Sequence, residues 1–292
     1  MPRRSIAYAL YGLLVAAAIG VACSNPLLFQ KLNTLRPAAA IPDLDTRAGR
    51  WLDIDAIVRP IPIHGRPVWN VDPATRYRRT MIEGGGNCSQ MAFGMAYQLD
   101  REAIDYQIIH MLTPGGLGMG DGHTVIRVPY RYEGVDRVGL VDLSFGVILT
   151  GASGPLDVAE VEAAPVDGWG FAPLNDRARF PDYHDDFLVD AVLGYVPPSE
   201  VHDYYAFLDR VYFSLGSDRT EKYLFDGLAL VLGVLPEVFV PLYDELMAQH
   251  RVDLFLYRGA LAVMRSAAVL LPLLIGFELL RWRRHGARRR RR

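Results

Sequence analysis

The 292-residue sequence predicts an α+β domain held between two membrane helices. Three observations lead to that class. Two apolar runs, Ile6 to Ala22 and Gly259 to Leu280, stand near the two ends of the chain. Between them, Cys88 to about Ala103 has helical periodicity and precedes segments whose apolar residues alternate as in strands. A helix followed by antiparallel-looking strands, rather than alternating β and α units, is the pattern of an α+β domain.

The first run lies in an anchor assigned to residues 5–23 and carries no charge. At about 1.5 Å per residue it nearly crosses a hydrocarbon core of about 30 Å. The second, residues 259–280, is apolar apart from Arg265 and Glu278, which are expected to reach the interfaces by snorkelling. Residues 281–292 form a basic tail of eight arginines with no acid, and Arg3 and Arg4 precede the first run. The positive-inside rule then sets both termini in the cytoplasm. Residues 5–280 hold 21 basic residues against 33 acidic ones, a net charge of −12, so an acidic body stands between basic ends. That body is expected on the periplasmic face of a bacterial inner membrane.

A cleaved signal peptide is the alternative for the first run, and Cys23-Ser24-Asn25 suggests lipidation at Cys23. Gly20 stands where a lipobox has a large aliphatic residue, so we read an uncleaved anchor. Neither alternative changes the compartment. The arginine tail beside an apolar 20-mer reads as a topology signal that touches membrane lipid, and no nucleic-acid partner is expected.

Residues 24–50, with Pro37, Pro42 and three consecutive alanines, read as a linker, and residues 51–150 as the core domain. The core opens with short apolar pieces broken by Pro60, Pro62, Pro67 and Pro73. Three glycines then lead to Asn87, a good N-cap, and to a helix with Met91, Met95 and Leu99 on one face. Tyr106 to Leu112, His123 to Tyr132 and Gly139 to Phe145 read as strands, with a glycine-rich loop from Gly115 to Gly122. Residues 151–255 read as an acidic loop region and helical extension. Helices are expected over Ser199 to Leu215 and over Asp218 to Leu235, the second opened by Asp218 with Glu221. Leu228 to Tyr243, interrupted by Pro236 and Pro241, reads as a core or interfacial helix rather than a third span. One long helix, bent near Pro241 and Pro272, is expected from Glu237 to Arg284.

Cys88 is the only cysteine beyond Cys23. With Cys23 at the membrane edge no disulfide between them is expected, and a free thiol in an exported domain points to chemistry. Three short pieces suit that chemistry: Gly86-Asn87-Cys88, Gly122-His123-Thr124 and Val141-Asp142-Leu143, at intervals of 35 and 19 residues. A helix N-terminus and an imidazolium both favour thiolate. His123 is placed to protonate a leaving amine, and Asp142 to hold the imidazole in orientation. The Cys88 N–H, unpaired at the helix start, is a natural oxyanion donor. Trp69 and Gln90 are weaker candidates for the second donor. This mechanism requires no metal and no cofactor.

These pieces resemble the transglutaminase-like superfamily, a branch of the papain-like cysteine enzymes. Gly86-Asn87-Cys88 with Ala92 is similar to its first block, Gly122-His123 with Val125 to its second, and the run Leu140 to Gly146 to its third. The resemblance covers about residues 65–150, roughly a third of the chain. It implies a papain/transglutaminase-like core, with the cysteine helix packed on an antiparallel sheet. It also implies a Cys88-His123-Asp142 triad acting as peptidase, amidase or acyl transferase on a protein or peptide substrate in the periplasm. Many members have an aromatic residue where this chain has Val125, a departure expected to reshape the substrate cleft. The calcium requirement of some animal relatives has no encoding loop here.

Other features carry weaker expectations. Gly115 to Gly122 lacks the Lys-Ser/Thr of a phosphate loop and reads as a flap beside His123. Asp121 is the substitute for Asp142 as orienter. His184, Asp185, Asp186, His202 and Asp203 have no diagnostic ligand spacing and read as a solvated acidic face. Tyr204, Tyr205, Phe207, Tyr212 and Phe213 read as helix packing, with a sugar platform as the alternative. From another functional class, the alternative is a non-catalytic transglutaminase-fold subunit of an envelope or surface-polysaccharide export assembly, with partner proteins in that complex.

Overall fold

The computed structural model describes residues 2–54, 72–113, 117, 122–151, 154–163, 169–174, 178, 191–212 and 222–289. Its helices are α1 (Pro2–Ser24), α2 (Pro26–Thr34), α3 (Pro73–Tyr77), α4 (Cys88–Glu102), α5 (Val158–Ala163), α6 (Pro198–Phe207), α7 (Lys222–Leu232), α8 (Tyr243–Met247) and α9 (Arg251–Arg289). Its strands are β1 (Leu35–Pro37), β2 (Leu52–Asp53), β3 (Gln107–Leu112), β4 (His123–Tyr132), β5 (Val135–Asp142), β6 (Val147–Gly151), β7 (Gly154–Pro155), β8 (Gly170–Pro173), β9 (Val192–Val196) and β10 (Val238–Val240). These ten strands form one sheet in the order β1-β10-β9-β3-β4-β5-β6-β7, with β2 beside β4 and β8 beside β6. Only β1 with β10 and β2 with β4 run parallel. The fold is mixed α/β: a large, mainly antiparallel sheet with helices and a long C-terminal helix.

The sheet is covered on both faces, which is why β4 is buried over most of its length instead of alternating with solvent. On one face Met91, Met95 and Leu99 of α4 pack with Ile126, Val128 and Tyr130 of β4. On the other, Ile109, Val125, Leu140 and Leu149 pack with Val158 and Val161 of α5. Arg127 is buried on that second face. Its Nε donates to Asp157 at 2.6 Å and its Nη1 to the carbonyl of Pro42 at 2.7 Å, so the buried charge is paired and bonded.

A third cluster joins the domain to the two long apolar helices. Leu28, Phe29 and Leu32 of α2 meet Leu112, Val192 and Val240 of the sheet together with Tyr257, Ala260 and Leu261 of α9. Helices α1 and α9 lie side by side in opposite directions. The Tyr11 hydroxyl is 3.2 Å from Ser266 Oγ, and Ser24 Oγ is 3.3 Å from the Tyr257 hydroxyl. Two helical stretches, Ile6–Ser24 and Tyr243–Arg283, are long and apolar enough to cross a membrane.

Several sequence expectations are corrected. Residues 24–50 are not simply a linker, because they supply α2 and β1, and β1 pairs with β10. Residues 51–150 are not a self-contained core either. β9 lies between β3 and β10, and β8 extends β6, so the region read as an acidic extension completes the sheet. Pairing across 80 or more residues leaves no local periodicity to read. The expected helix from Glu237 to Arg284 gives way at its start to β10 and the short α8, and α9 then runs unbroken from Arg251 through Pro272. The apolar stretch from Leu228 to Tyr243 is divided: α7 ends at Leu232, and β10 follows. The Asp218–Glu221 capping pair lies outside the described residues. Arg265 has protein partners. It donates to the carbonyls of Leu230 at 2.9 Å and Val231 at 3.2 Å, at the end of α7 where the helix dipole favours a cation.

Candidate active site

Helix α4 starts at Cys88 because its cap is complete. The Asn87 side chain accepts the Gln90 N–H at 2.9 Å, and the Gln90 side-chain carbonyl accepts the Asn87 N–H at 3.1 Å. This reciprocal capping box leaves Cys88 as the first helical residue. Gly86 is required just before it. Its φ is +101°, and an added Cβ would sit 3.1 Å from Gln90 Oε1 and 3.2 Å from Gln90 Cβ, against the cap itself. Gln90, a candidate oxyanion donor, is therefore placed as the closing member of the helix cap. Trp69, the other candidate, lies outside the described residues.

β4 brings His123 to the same place. Gly122, at φ +123°, lets the chain enter the strand past β3, where a Cβ would meet the Met111 carbonyl oxygen at 2.7 Å. β5 pairs with β4 and ends on Asp142, whose carboxylate is fully buried. Asp142 Oδ2 lies 2.6 Å from His123 Nε2. Asp142 Oδ1 accepts the N–H of Ser144 at 2.8 Å and of Phe145 at 3.3 Å, so the turn after β5 fixes the carboxylate. The Phe145 ring leans on the imidazole, with centroids 5.8 Å apart. With Nε2 taken by Asp142, Nδ1 is the ring nitrogen left for Cys88, and the two side chains are close enough to shift each other's titration.

The electrostatics favour an ion pair between sulfur and imidazole. Burial pushes the Cys88 thiol up, but its hydrogen bond to His123, the charge of that ring and a hydrogen bond to Thr124 outweigh this, and the thiol lies below its ordinary value. Burial opposes protonation of His123. The charge and hydrogen bond of Asp142, with those of Cys88, outweigh it and raise the imidazole well above its ordinary value.

Two further residues, Ser89 and His110, join the site without a motif to announce them, both through Thr124 of the Gly122-His123-Thr124 piece. Thr124 Oγ1 lies 3.0 Å from Ser89 Oγ and 2.9 Å from His110 Nδ1, so a polar chain runs from the first turn of α4 to β3. Burial, then the cations Lys31 and His123, hold His110 down to about 4, so it is neutral near pH 7. The available signal is a lone histidine inside the apolar strand Gln107–Leu112.

The remaining sequence candidates fall elsewhere. Asp121 and most of the Gly115 to Gly122 loop lie outside the described residues, as do His184, Asp185 and Asp186. His202 Nε2 pairs with Asp100 at 2.8 Å, and among the described residues no His, Cys, Asp and Glu group could hold a metal ion. Tyr204, Tyr205 and Phe207 are buried in the core beside α4. No family model, curated protein or solved structure matches the chain.

Proposed function

We propose that this chain is a membrane-anchored cysteine enzyme of transglutaminase-like type, a peptidase or amidase in the first instance, with its active domain on the periplasmic face of a bacterial inner membrane. One observation carries the reading: a cysteine at the first position of a capped helix, electrostatically coupled to a histidine whose Nε2 lies 2.6 Å from a fully buried aspartate.

The chemistry follows from that geometry. Cys88 sulfur attacks the carbonyl carbon of a peptide or carboxamide. The N–H of Cys88, at the helix start, stabilises the oxyanion that forms. Collapse breaks the C–N bond, and the His123 imidazolium gives its Nδ1 proton to the departing amine. The product is a thioester on Cys88. Water then attacks the thioester with His123 as base, releasing the acid and regenerating thiolate and imidazolium; an amine in place of water gives transfer. Asp142 stays ionised and holds the ring in orientation throughout.

The test is the rate of Cys88 alkylation by iodoacetamide against pH in the full-length protein, with Cys23→Ser to remove the other thiol. Expected is fast alkylation at pH 6 that His123→Ala abolishes. A rate that follows an ordinary thiol and ignores His123 overturns the reading.

A further inference from the structure

Arg76, on α3, is a buried charge with an unsatisfied donor. It is 6% exposed, its Nε has no hydrogen-bond partner, and no carboxylate lies within 4.0 Å of its guanidinium among the described residues. Its guanidinium lies over the face of the Tyr205 ring, 5.7 Å from the centroid. A buried cation left in this state is costly unless a partner is supplied.

The guanidinium lines a cavity of about 270 Å³, just under the usual size of a small-ligand site. The other walls explain what the partner is. Asn87, Ser89 and Gln90 bring the first turn of α4, whose dipole favours an anion. Lys31 adds a second cation from α2. Asp226, held by the Tyr204 hydroxyl at 2.8 Å, faces the same space and disfavours a dianion such as phosphate. The rest of the lining includes Phe93 and Val238, which suit a short apolar body. His110 is also in the wall, and through Thr124 it connects the cavity to the triad.

We propose that this cavity is a substrate subsite that takes a peptide carboxylate on Arg76, adjoining the helix turn that carries Cys88. As a substrate subsite it rests on the enzyme reading of Cys88; as a binding site it does not. Cys88 is not itself in the cavity wall, but its neighbours Asn87 and Ser89 are, so the cavity abuts the start of α4.

The experiment compares two probes that differ only in charge, N-acetyl-dialanine with a free carboxylate and its C-terminal carboxamide. Both are titrated calorimetrically into full-length Cys88→Ser protein in detergent, where no turnover occurs. Expected is at least tenfold tighter binding of the acid, a preference lost in Arg76→Gln and partly kept in Arg76→Lys. Equal affinity for acid and amide in the Arg76-containing protein overturns the proposal, and so does a lack of binding by either. That comparison needs no substitution at Arg76 and survives a variant that fails to fold. Inorganic phosphate competing as well as the acid overturns the carboxylate assignment. Fast, His123-dependent alkylation of Cys88 with no acid preference sinks the subsite alone. Slow alkylation with an intact acid preference sinks the enzyme reading and leaves the binding site.

Discussion

At the scale of single residues, the two members that support Cys88 do different work. Asp142 acts only through His123, so Asp142→Asn leaves the helix and the thiol in place but removes the charge that favours the imidazolium. The Cys88 alkylation profile is expected to move towards higher pH in that variant, and turnover of any substrate to fall by about 10³–10⁴, as for other triads with a misheld imidazole. An unchanged profile would show that the imidazolium does not depend on Asp142. The same pair makes stability depend on pH. The folded imidazole titrates at about 10 against an ordinary 6.5. A raised folded value contributes stability that is fully present below about pH 6.5 and is lost as pH rises towards 10. The difference in unfolding midpoint between the wild type and His123→Gln is therefore expected to shrink across that window; a constant difference argues against a charged folded imidazole.

At the scale of elements, the N-terminus of α4 is where local structure and chemistry meet. Asn87→Ala removes one half of the capping box, with an expected loss of about 1 kcal/mol in denaturant unfolding. It also loosens the turn that presents the Cys88 N–H, so alkylation at pH 6 should slow as well. Stability lost without any change in alkylation would separate the cap from the chemistry. On the opposite face of the sheet the Arg127–Asp157 pair links β4 to the start of α5. Asp157→Ala strands a buried guanidinium, and the expected loss is about 3–5 kcal/mol. A loss under about 1 kcal/mol would mean that the Pro42 carbonyl, Gln107 Oε1 at 3.2 Å and Asp43 at 3.7 Å satisfy Arg127 without it.

At the scale of the whole molecule, the antiparallel hairpin of α1 and α9 is continuous with the domain through α2 and the cluster around Leu32. With both apolar helices crossing one bilayer, the two termini share a side and the sheet lies on the other. In a Cys23→Ser, Cys88→Ser background, Ser199→Cys on the exposed start of α6 is expected to react in intact cells with a maleimide that enters the periplasm but not the cytoplasm. Arg288→Cys in the basic tail is expected to react only after lysis. Labelling of both in intact cells, or of neither, contradicts this arrangement.

The sequence by itself determined what is local. Asn87 and the α4 periodicity, the apolar stretches that mark β3 and β4 and the two apolar helices all depend on neighbours a few residues apart, and the order cysteine, histidine, aspartate is read directly along the chain. Gly86 and Gly122 were legible as motif letters, though only the structure shows what a side chain there would strike. Tertiary structure alone decided the rest. β1, β9 and β10 are short, and their pairing partners lie far along the chain, so nothing in their own residues distinguishes them from linker or loop. Arg76 and His110 look unremarkable in sequence because a charge on a helix or a polar residue in a strand is ordinary until its surroundings are known. Burial, and the loss of water that comes with it, is what singles those two out, and burial is a property of the packed molecule.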